Sequence, residues 1–315
     1  MRRAWQIGMI ALARSQTIKR FMQSNRSTTE LAKRYVGGAN AIEAIDRAAV
    51  LADQGIKSSF FYLGEYVDTR ELVEENLSAL QRLIGMLGKV TIEGHISVDP
   101  TQVGCSIDWS LGASAYRPMA AALQSAVKGR SGQHCIMIDM EDDSVVERSI
   151  ALHDNLFDEG YPVALTLQAY LRRTADDLAS VIARGGRVRL VKGAFVANSD
   201  IAFVGERAIK ANYYRLVDRM LSNEARKNGF YPIFGTHDHE IHAYVIEKAT
   251  ELGWPKGSYE FEMLYGARDD VATELAQKGE AIRLYLPFGT DWWPYAIRRI
   301  GENPKNLMLL TRSMI

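Results

Sequence analysis

The segment YPIFGTHDHEIHAYVIEKATEL, residues 231–252, contains one complete copy of the pattern that decides the fold. Its first five residues, Tyr231 to Gly235, form a short run of apolar and aromatic residues that is typical of a buried β-strand. A polar turn follows, and apolar residues then recur at helical spacing from His239 to Leu252. The segment therefore predicts a strand, a turn and an amphipathic helix in succession.

The same pattern recurs along the 315 residues. Seven further apolar runs predict strands at Ser59 to Leu63, His95 to Val98, Cys135 to Met140, Val163 to Ala169, Val188 to Val191, Tyr259 to Leu264 and Ile282 to Pro287. Helical spacing lies between several of them, at Thr69 to Gly88, Asp176 to Ala183, Glu206 to Ala225 and Arg268 to Lys278. Such alternation predicts an α/β fold with a parallel sheet, and eight units favour a (βα)8 TIM-like barrel over an open sheet.

The residues before the first strand predict a separate N-terminal element. We therefore divide the chain into an N-terminal helical arm, 1–52, and a barrel, 53–315. Thr28 to Ala52 predicts two helical segments broken at Gly37-Gly38. The first 13 residues begin basic and turn apolar, as in a weak signal peptide, but Gln6 interrupts the apolar stretch. An amphipathic arm that packs on the barrel or lies on a membrane surface is therefore favoured.

Composition narrows the class of protein. The formal net charge is zero, which implies no broad field for nucleic acids or anionic membranes. Two cysteines make a disulfide framework improbable, so a reducing cytoplasm is the default location. No apolar run reaches the length of a membrane span, and no Gly-x-Gly-x-x-Gly or Walker loop indicates a nucleotide site of those types.

Polar residues follow nearly every predicted strand, where barrel enzymes carry their chemistry. In chain order these strand ends carry Asp99, Asp139 with Glu141, Gln168, Lys192-Gly193-Ala194, Thr236-His237-Asp238, Leu264-Tyr265 and Tyr285. A purely structural barrel would not need polar groups there. Beyond the last strand, Arg298-Arg299 lies among Trp292, Trp293 and Tyr295. Two guanidiniums among aromatics favour a pocket for a small carboxylate over a solvated basic patch.

Several of these motifs have a second interpretation. Arg189 and Lys192 suit phosphates or an electron-rich ring, or are solvated charges beside a strand. Asp99 and Asp139 can bind a cation, share a proton or pair with Arg298 and Arg299, and an internal ion-pair network is the structural alternative. We discount zinc at His237, His239 and His242, because no recognised ligand set is completed. Hydrogen bonds from Thr236 and His237 to a cofactor are favoured, and His239 and His242 remain compatible with a generic loop.

Taken together, the motifs resemble the flavin-dependent proline dehydrogenase family, monofunctional and of bacterial type, whose members are (βα)8 barrels that oxidise proline to pyrroline-5-carboxylate. The matching blocks occur in family order at Ile138–Asp142, Leu167–Leu178, Arg189–Ala194, Gly235–Asp238, Glu260–Gly266, Arg283–Gly289 and Tyr295–Glu302, and Arg34–Gly38 resembles the N-terminal arm. The resemblance implies an FAD flavoprotein of amino-acid metabolism. It implies hydride transfer to the flavin from the C–N unit of L-proline or a proline-like amino acid.

The resemblance also implies roles for single residues. It places FAD against Gln168, Arg189, Lys192, Gly193, Thr236, His237 and Glu302. It lines the substrate pocket with Asp139, Ala194, Leu264, Tyr285, Arg298 and Arg299, the two arginines on the carboxylate. We assign catalysis to Arg189, Asp139 and Tyr285, expect no metal, and expect electrons to leave to a quinone or another acceptor. A cytoplasmic protein is expected, with peripheral contact to the inner membrane left open.

Two positions depart from the family pattern, and both are candidate substrate contacts. The chain has Ser97-Val-Asp-Pro-Thr101 where the family has Ser-Val-Lys-Leu-Thr, so Asp99 replaces a lysine that holds the substrate carboxylate. Phe195 stands where the family usually has tyrosine. Two alternatives therefore accompany proline oxidation: an enzyme specialised for another amine or modified amino acid with a cationic group, and a catalytically silent barrel.

Overall fold

A closed barrel of eight parallel strands forms the body of the protein. The computed structural model describes residues 34–64, 67–195 and 197–295 of the chain. Within them the strands are hydrogen-bonded in sequence order, and β8 closes the barrel on β1. They are β1 (Lys57–Tyr62), β2 (His95–Val98), β3 (Cys135–Ile138), β4 (Val163–Gln168), β5 (Arg187–Val191), β6 (Tyr231–Gly235), β7 (Glu260–Leu264) and β8 (Ile282–Phe288). The predicted (βα)8 barrel is confirmed.

Helices surround this sheet and connect its strands. The described residues contain α1 (Ala41–Ala52), α2 (Arg70–Leu87), α3 (Trp109–Ala126), α4 (Val146–Asp158), α5 (Thr174–Ala183), α6 (Glu206–Met220), α7 (Asn223–Lys227), α8 (His239–Glu251) and α9 (Asp269–Gln277). A short 3₁₀ turn, Thr101–Val103, follows β2. None of the helices in this part of the chain combines the length and the apolar character that a membrane span needs.

Alternation along each strand divides the buried residues into two sets. One set, exemplified by Ile96, Ile136, Leu165 and Leu190, packs in the large core shared with the helices. The residues between them point into the barrel interior, where Cys135, Met137, Ala164, Tyr231 and Ile233 form a separate apolar cluster. Several other interior positions are charged or titratable, among them His95, Arg189, Glu262 and Arg283, which places ion pairs inside the barrel.

The segment before the first strand is anchored to the last one. The N–H group of Gly37 donates to the carbonyl of Pro287 at 2.7 Å, and that of Gly289 donates to Gly38 at 2.9 Å. A Cβ atom at Gly37 would lie 2.5 Å from the Leu286 side chain, so this approach requires glycine. Helix α1 then begins at its cap, Asn40. Residues 1–33 lie outside the described residues, so the boundary of the arm stays a prediction.

The structure differs from the prediction in several helical regions. Helices α3 and α4 were not predicted, because Gly112 and Pro118 interrupt the α3 pattern and polar residues dominate α4. The single helix predicted from Glu206 to Ala225 is wrong: the chain turns after Met220, and the Ser222 side chain caps a second helix by accepting from the Ala225 N–H group. Of the two helical segments predicted within Thr28 to Ala52, the second agrees with α1; residues 28–33 of the first lie outside the described residues, and Arg34 to Val36 are not helical. The other predicted helices and strands agree with the structure to within a few residues at their ends.

Candidate active site

The predicted strand-end residues within the described part of the chain meet at the C-terminal mouth of the barrel. Asp99, Asp139 and Lys192 each follow a strand closely, while Gln168 and Leu264 each end one. Backbone hydrogen bonds continue the sheet past these ends. The Asp139 N–H group donates to Val98 at 3.0 Å, and the Thr236 N–H group donates to Glu262 at 3.1 Å.

Arg189 occupies the centre of this mouth and is only 5% exposed. Its Nη2 atom lies 3.1 Å from Oδ1 of Asp139 and donates to Oγ of Ser97 at 2.6 Å. Its Nε atom lies 3.2 Å from Oε2 of Glu262. Burial alone would lower the pKa of Arg189, but Asp139 and Glu262 outweigh it and raise the pKa. The alternative of a solvated charge is therefore wrong for Arg189.

Asp139 is the common partner of the other two residues assigned to catalysis, Arg189 and Tyr285. Thr166 donates to Oδ1 at 3.0 Å and the Tyr285 hydroxyl donates to Oδ2 at 3.1 Å. The Tyr285 ring also lies beside Arg189, with the guanidinium carbon 5.3 Å from the ring centroid. Burial, then Asp139 and Asp99, raises the pKa of Tyr285 well above its ordinary value, so the phenol keeps its proton. Arg189, Asp139 and Tyr285 thus form one hydrogen-bonded and ion-paired group.

Two other carboxylates lie near this group with different surroundings. Asp99 is partly exposed just beyond β2 and is close enough to Tyr285 to influence the pKa of its phenol. Glu141 instead accepts from Thr101, at 2.9 Å from its N–H group and 2.5 Å from its hydroxyl. Glu141 therefore ties the loops after β2 and β3 together, and Asp99 is the carboxylate at the mouth.

Gln168 at the end of β4 and Gly193 just after β5 have features that bear on ligand binding. Gln168 donates to the Glu141 carbonyl at 3.2 Å, and its Oε1 atom is buried with no hydrogen-bond partner among the described residues. Gly193 has φ of +98°, and a Cβ atom there would lie 2.2 Å from the Tyr170 ring. The backbone after β5 therefore packs directly against the Tyr170 ring, a contact at positive φ that favours glycine.

Lys192 belongs to an ion-pair cluster between β5 and β6. Its Nζ atom lies 2.8 Å from Asp238, which is also 2.9 Å from Nζ of Lys210. Burial raises the pKa of Asp238, but the two lysines outweigh it and hold the pKa well below its usual range. Asp238 also caps α8 by accepting from the Glu240 N–H group. Lys192 therefore stands at the rim as a positioned cation.

The predicted histidine segment supports the backbone of the mouth. His237 accepts from the Leu264 N–H group at 3.2 Å through Nε2. The buried His242 ring contacts the Thr236 carbonyl at 2.8 Å and packs against Phe261. His239 is exposed at the start of α8. These contacts fix Thr236 and His237 at the end of β6.

The remaining predicted residues are less enclosed or fall outside the described part of the chain. Ala194 is exposed, and Phe195 is 42% exposed on the loop that follows β5. Leu264 is partly exposed at the end of β7. Arg298, Arg299 and Glu302 lie outside the described residues.

A sequence model of the family described as proline dehydrogenase matches residues 44–312. The chain belongs to the proline dehydrogenase family. Proline dehydrogenase 2 of Bacillus subtilis (strain 168) is 30% identical over 295 residues, which cover 93% of each chain. Proline dehydrogenase of Deinococcus radiodurans is 32% identical over 290 residues, which cover 90% of each.

Solved structures of proline utilization A (PutA) share the fold. The PutA of Bdellovibrio bacteriovorus superposes with a TM-score of 0.78 at 22% identity, over 88% of this chain and 33% of that chain. The PutA of Corynebacterium freiburgense has a TM-score of 0.71 at 21% identity, covering 99% of this chain and 34% of the other. The chain spans about a third of these proteins, and the likeness concerns the barrel.

In this proline dehydrogenase family member, a buried cluster below the mouth also has the composition of a metal site. His95, Glu260 and Glu262 offer ligand atoms within 4.8 Å of one another. Glu260, however, is held by Arg283 at 2.6 Å, and Glu262 lies beside Arg189. A dication would have to share the site with both guanidiniums, so we assign the cluster to charge pairing.

Three polar residues of this site were not predicted from the sequence: Ser97, Thr166 and Glu262. Each stands two residues before a predicted strand-end residue, namely Asp99, Gln168 and Leu264. Residues two apart on a strand face the same side of the sheet. That spacing was an available signal that these side chains share the barrel interior with the site.

Proposed function

We propose that this protein oxidises the C–N bond of L-proline or a proline-like amino acid to an imine, with non-covalently bound FAD as the hydride acceptor. Membership of the proline dehydrogenase family makes it a flavin-dependent oxidoreductase of proline oxidation. The observation that carries the site assignment is the Arg189–Asp139–Tyr285 group, which gathers three family-matched residues at the barrel mouth.

The residues at the mouth fit a flavin. Gln168 offers a buried amide oxygen that has no hydrogen-bond partner among the described residues, and Gly193 lets the loop after β5 pack against the Tyr170 ring. Arg189 and Lys192 offer positive charge to electron-rich and phosphate groups. We propose that these residues hold FAD together with Thr236, His237 and Glu302. Bound FAD would supply the two-electron acceptor for the reaction.

The chemistry requires loss of a hydride from carbon and of a proton from nitrogen. We propose that the two carboxylates near Tyr285, Asp139 and Asp99, place negative charge beside the amine nitrogen of the substrate. Tyr285 keeps its proton and fixes Asp139 by donating to it. We propose that Arg298 and Arg299 hold the substrate carboxylate, and that Ala194, Phe195 and Leu264 line the pocket.

Asp99 directs the choice of substrate. Two unit charges ~4–5 Å apart interact by roughly 3–4 kcal/mol at an effective dielectric of ~20. A carboxylate at this position therefore repels a substrate carboxylate that a lysine would attract. The second candidate function is oxidation of another amine or modified amino acid, whose additional cationic group Asp99 binds.

The electron acceptor and the cellular location are further parts of the proposal. We propose that a quinone or another external acceptor reoxidises the flavin, in a cytoplasmic protein whose basic and apolar N-terminal arm touches the inner membrane. The arm, 1–52, and the barrel, 53–315, remain the proposed division of the chain.

Anaerobic flavin bleaching tests the proposed function. The purified protein, reconstituted with FAD, is mixed with L-proline, with other cyclic amino acids and with basic amines, and the visible flavin absorbance is followed. Bleaching by L-proline alone supports the first candidate, and faster bleaching by a cationic amine supports the second. A colourless protein that takes up no FAD would support the catalytically silent barrel.

A further inference from the structure

Glu262 approaches Arg189 from strand β7 and is itself almost fully buried, at 3% exposure. Its Oε1 atom accepts a hydrogen bond from the Ser59 hydroxyl at 2.5 Å. Its Oε2 atom lies 3.2 Å from Nε of Arg189, but neither of these two atoms has a hydrogen-bond partner among the described residues. Ser59 thus holds the carboxylate in place, and the contact with Arg189 is one of charge.

Among the residues that the structure describes, the charges around Arg189 do not balance locally. Asp139 and Glu262 place two carboxylates against one guanidinium. The neighbouring His95 is neutral, because burial and then Arg283 and Arg189 lower its pKa well below its ordinary value. The next layer pairs Arg283 and Lys57 with Glu260 and Glu93 and is balanced within itself. Burial raises the pKa of Glu262, and Arg189 and the hydrogen bond from Ser59 oppose that shift. In its charged form this second carboxylate reduces the positive field of Arg189 at the mouth.

We propose that Glu262 is a positioning residue that fixes Arg189 and lowers the reduction potential of the bound flavin. The inference rests on the proposed function, in which FAD lies against Arg189. A cation beside the isoalloxazine stabilises its reduced, anionic form. Glu262 opposes that effect, and with Asp139 it holds the guanidinium from two strands, so its charge and its position act on the same side chain.

The test is the reduction potential of the FAD-loaded protein in wild type and Glu262→Gln, measured by spectroelectrochemistry. Glutamine keeps the size of the side chain and an acceptor for Ser59. We expect the equilibrium between oxidised and reduced flavin to shift about tenfold toward the reduced form, which is ~30 mV for a two-electron couple. The affinity of the oxidised flavin for sulfite should rise about tenfold in parallel.

Two variants separate this role from a structural one. Glu260→Gln removes an equally buried carboxylate two residues earlier on β7, whose partners are Arg283 and Tyr231. It should lower thermal stability and leave the potential at the wild-type value. Glu262→Asp retains the charge and should return the potential toward wild type.

An unchanged potential in flavin-loaded Glu262→Gln, or an equal shift in Glu260→Gln, overturns the inference and leaves the proposed function intact. If Glu262→Gln does not fold, Ser59→Ala replaces it. The Ser59 hydrogen bond favours the charged form of Glu262, so its loss should weaken that charge and also raise the potential. An unmoved potential in that variant counts against Glu262 equally. A wild-type protein that takes up no FAD overturns both proposals.

Discussion

Arg189 and Asp139 form an ion pair across the barrel mouth, with 3.1 Å between Nη2 and Oδ1, although their strands are not neighbours. Strand β4 lies between them and contributes Thr166, which donates to the same carboxylate. Tyr285 of β8 donates to the other oxygen. The Asp139 carboxylate, which follows β3, thus contacts side chains from three other strands, β4, β5 and β8. Its geometry depends on closure of the whole barrel.

Replacing that carboxylate should impair the reaction more than the fold. Asp139→Asn keeps an oxygen for Thr166 or Tyr285 but loses the charge that faces Arg189. Since a hydrogen bond to a charged group contributes ~1.5–3 kcal/mol, kcat/KM for proline should fall roughly 10- to 150-fold. Steady-state kinetics and flavin content are measured together. Asp143→Asn, which changes an exposed carboxylate on the same loop, is the control and should behave as wild type.

Glycine 193 offers a test of flavin binding with a matched control on the same loop. Gly193 and Gly205 have similar positive φ values, +98° and +91°, but a Cβ atom at Gly193 would meet Tyr170 at 2.2 Å, whereas one at Gly205 has nothing within 4 Å. Both alanine variants should carry the ~1 kcal/mol strain of positive φ, and Gly193→Ala should in addition displace the Tyr170 ring. Only Gly193→Ala should lose flavin, as read from absorbance after gel filtration. Equal flavin content in the two variants would place the cofactor elsewhere.

Acid stability should depend on Glu93. Burial raises its pKa, but Arg283 and Lys57 outweigh it and lower the pKa from 4.5 to about 2. Because the folded pKa lies below the unfolded one, the stabilisation is complete above pH 4.5 and is lost as the pH falls through about 2. It amounts to on the order of 3 kcal/mol.

Glu93→Gln should therefore flatten the dependence of unfolding free energy on pH between about 4.5 and 2, as measured by urea unfolding at several pH values. Glu274→Gln, which removes the exposed pair with Lys278, is the control, since such surface pairs contribute little to the free energy of unfolding. Identical pH profiles for Glu93→Gln and wild type would show that Arg283 does not stabilise the charged form of Glu93.

The strands could be predicted from the sequence because each is a short apolar run that ends in a polar residue. The same runs predicted which side chains gather at the mouth, since parallel strands end on one face. Ser97 and Glu262 escaped prediction because their partners lie on strands that are not neighbours, and register between distant strands is not encoded locally. Thr166 donates to Asp139 beside the neighbouring strand β3, and only its spacing from Gln168 indicated its position. Asp139 and Arg189 were both predicted as site residues, but their ion pair was not predicted, because β3 and β5 are not neighbouring strands.

Arg298 and Arg299, outside the described residues, carry a prediction from the sequence alone. If they hold a carboxylate, Arg299→Ala loses one charge-assisted partner worth ~1.5–3 kcal/mol, so kcat/KM should fall roughly 10- to 150-fold. The loss should be confined to substrates that carry a carboxylate, which a decarboxylated analogue such as pyrrolidine controls. Unchanged kcat/KM for proline in both single arginine variants would place the pair away from the substrate.

Asp99 carries the sharpest prediction about the substrate. Its carboxylate is close enough to Tyr285 to raise the pKa of the phenol, and the resemblance to the family implies a lysine at this position that attracts the substrate carboxylate. The wild-type protein should therefore reduce its flavin slowly with simple L-proline. Asp99→Lys exchanges repulsion for attraction and should accelerate that reduction, within the limit that the buried Pro100 sets on the backbone after β2.

The same exchange should slow a substrate that places a cation against Asp99, because attraction then becomes repulsion of several kcal/mol at ~4–5 Å. Flavin reduction rates with L-proline and with a panel of basic amines, in wild type, Asp99→Asn and Asp99→Lys, give the sign of the effect for each compound. Asp99→Asn removes the charge without reversing it, so its rates should fall between the other two. Rapid reduction by proline in all three proteins would mean that Asp99 points away from the substrate and that proline is the natural substrate.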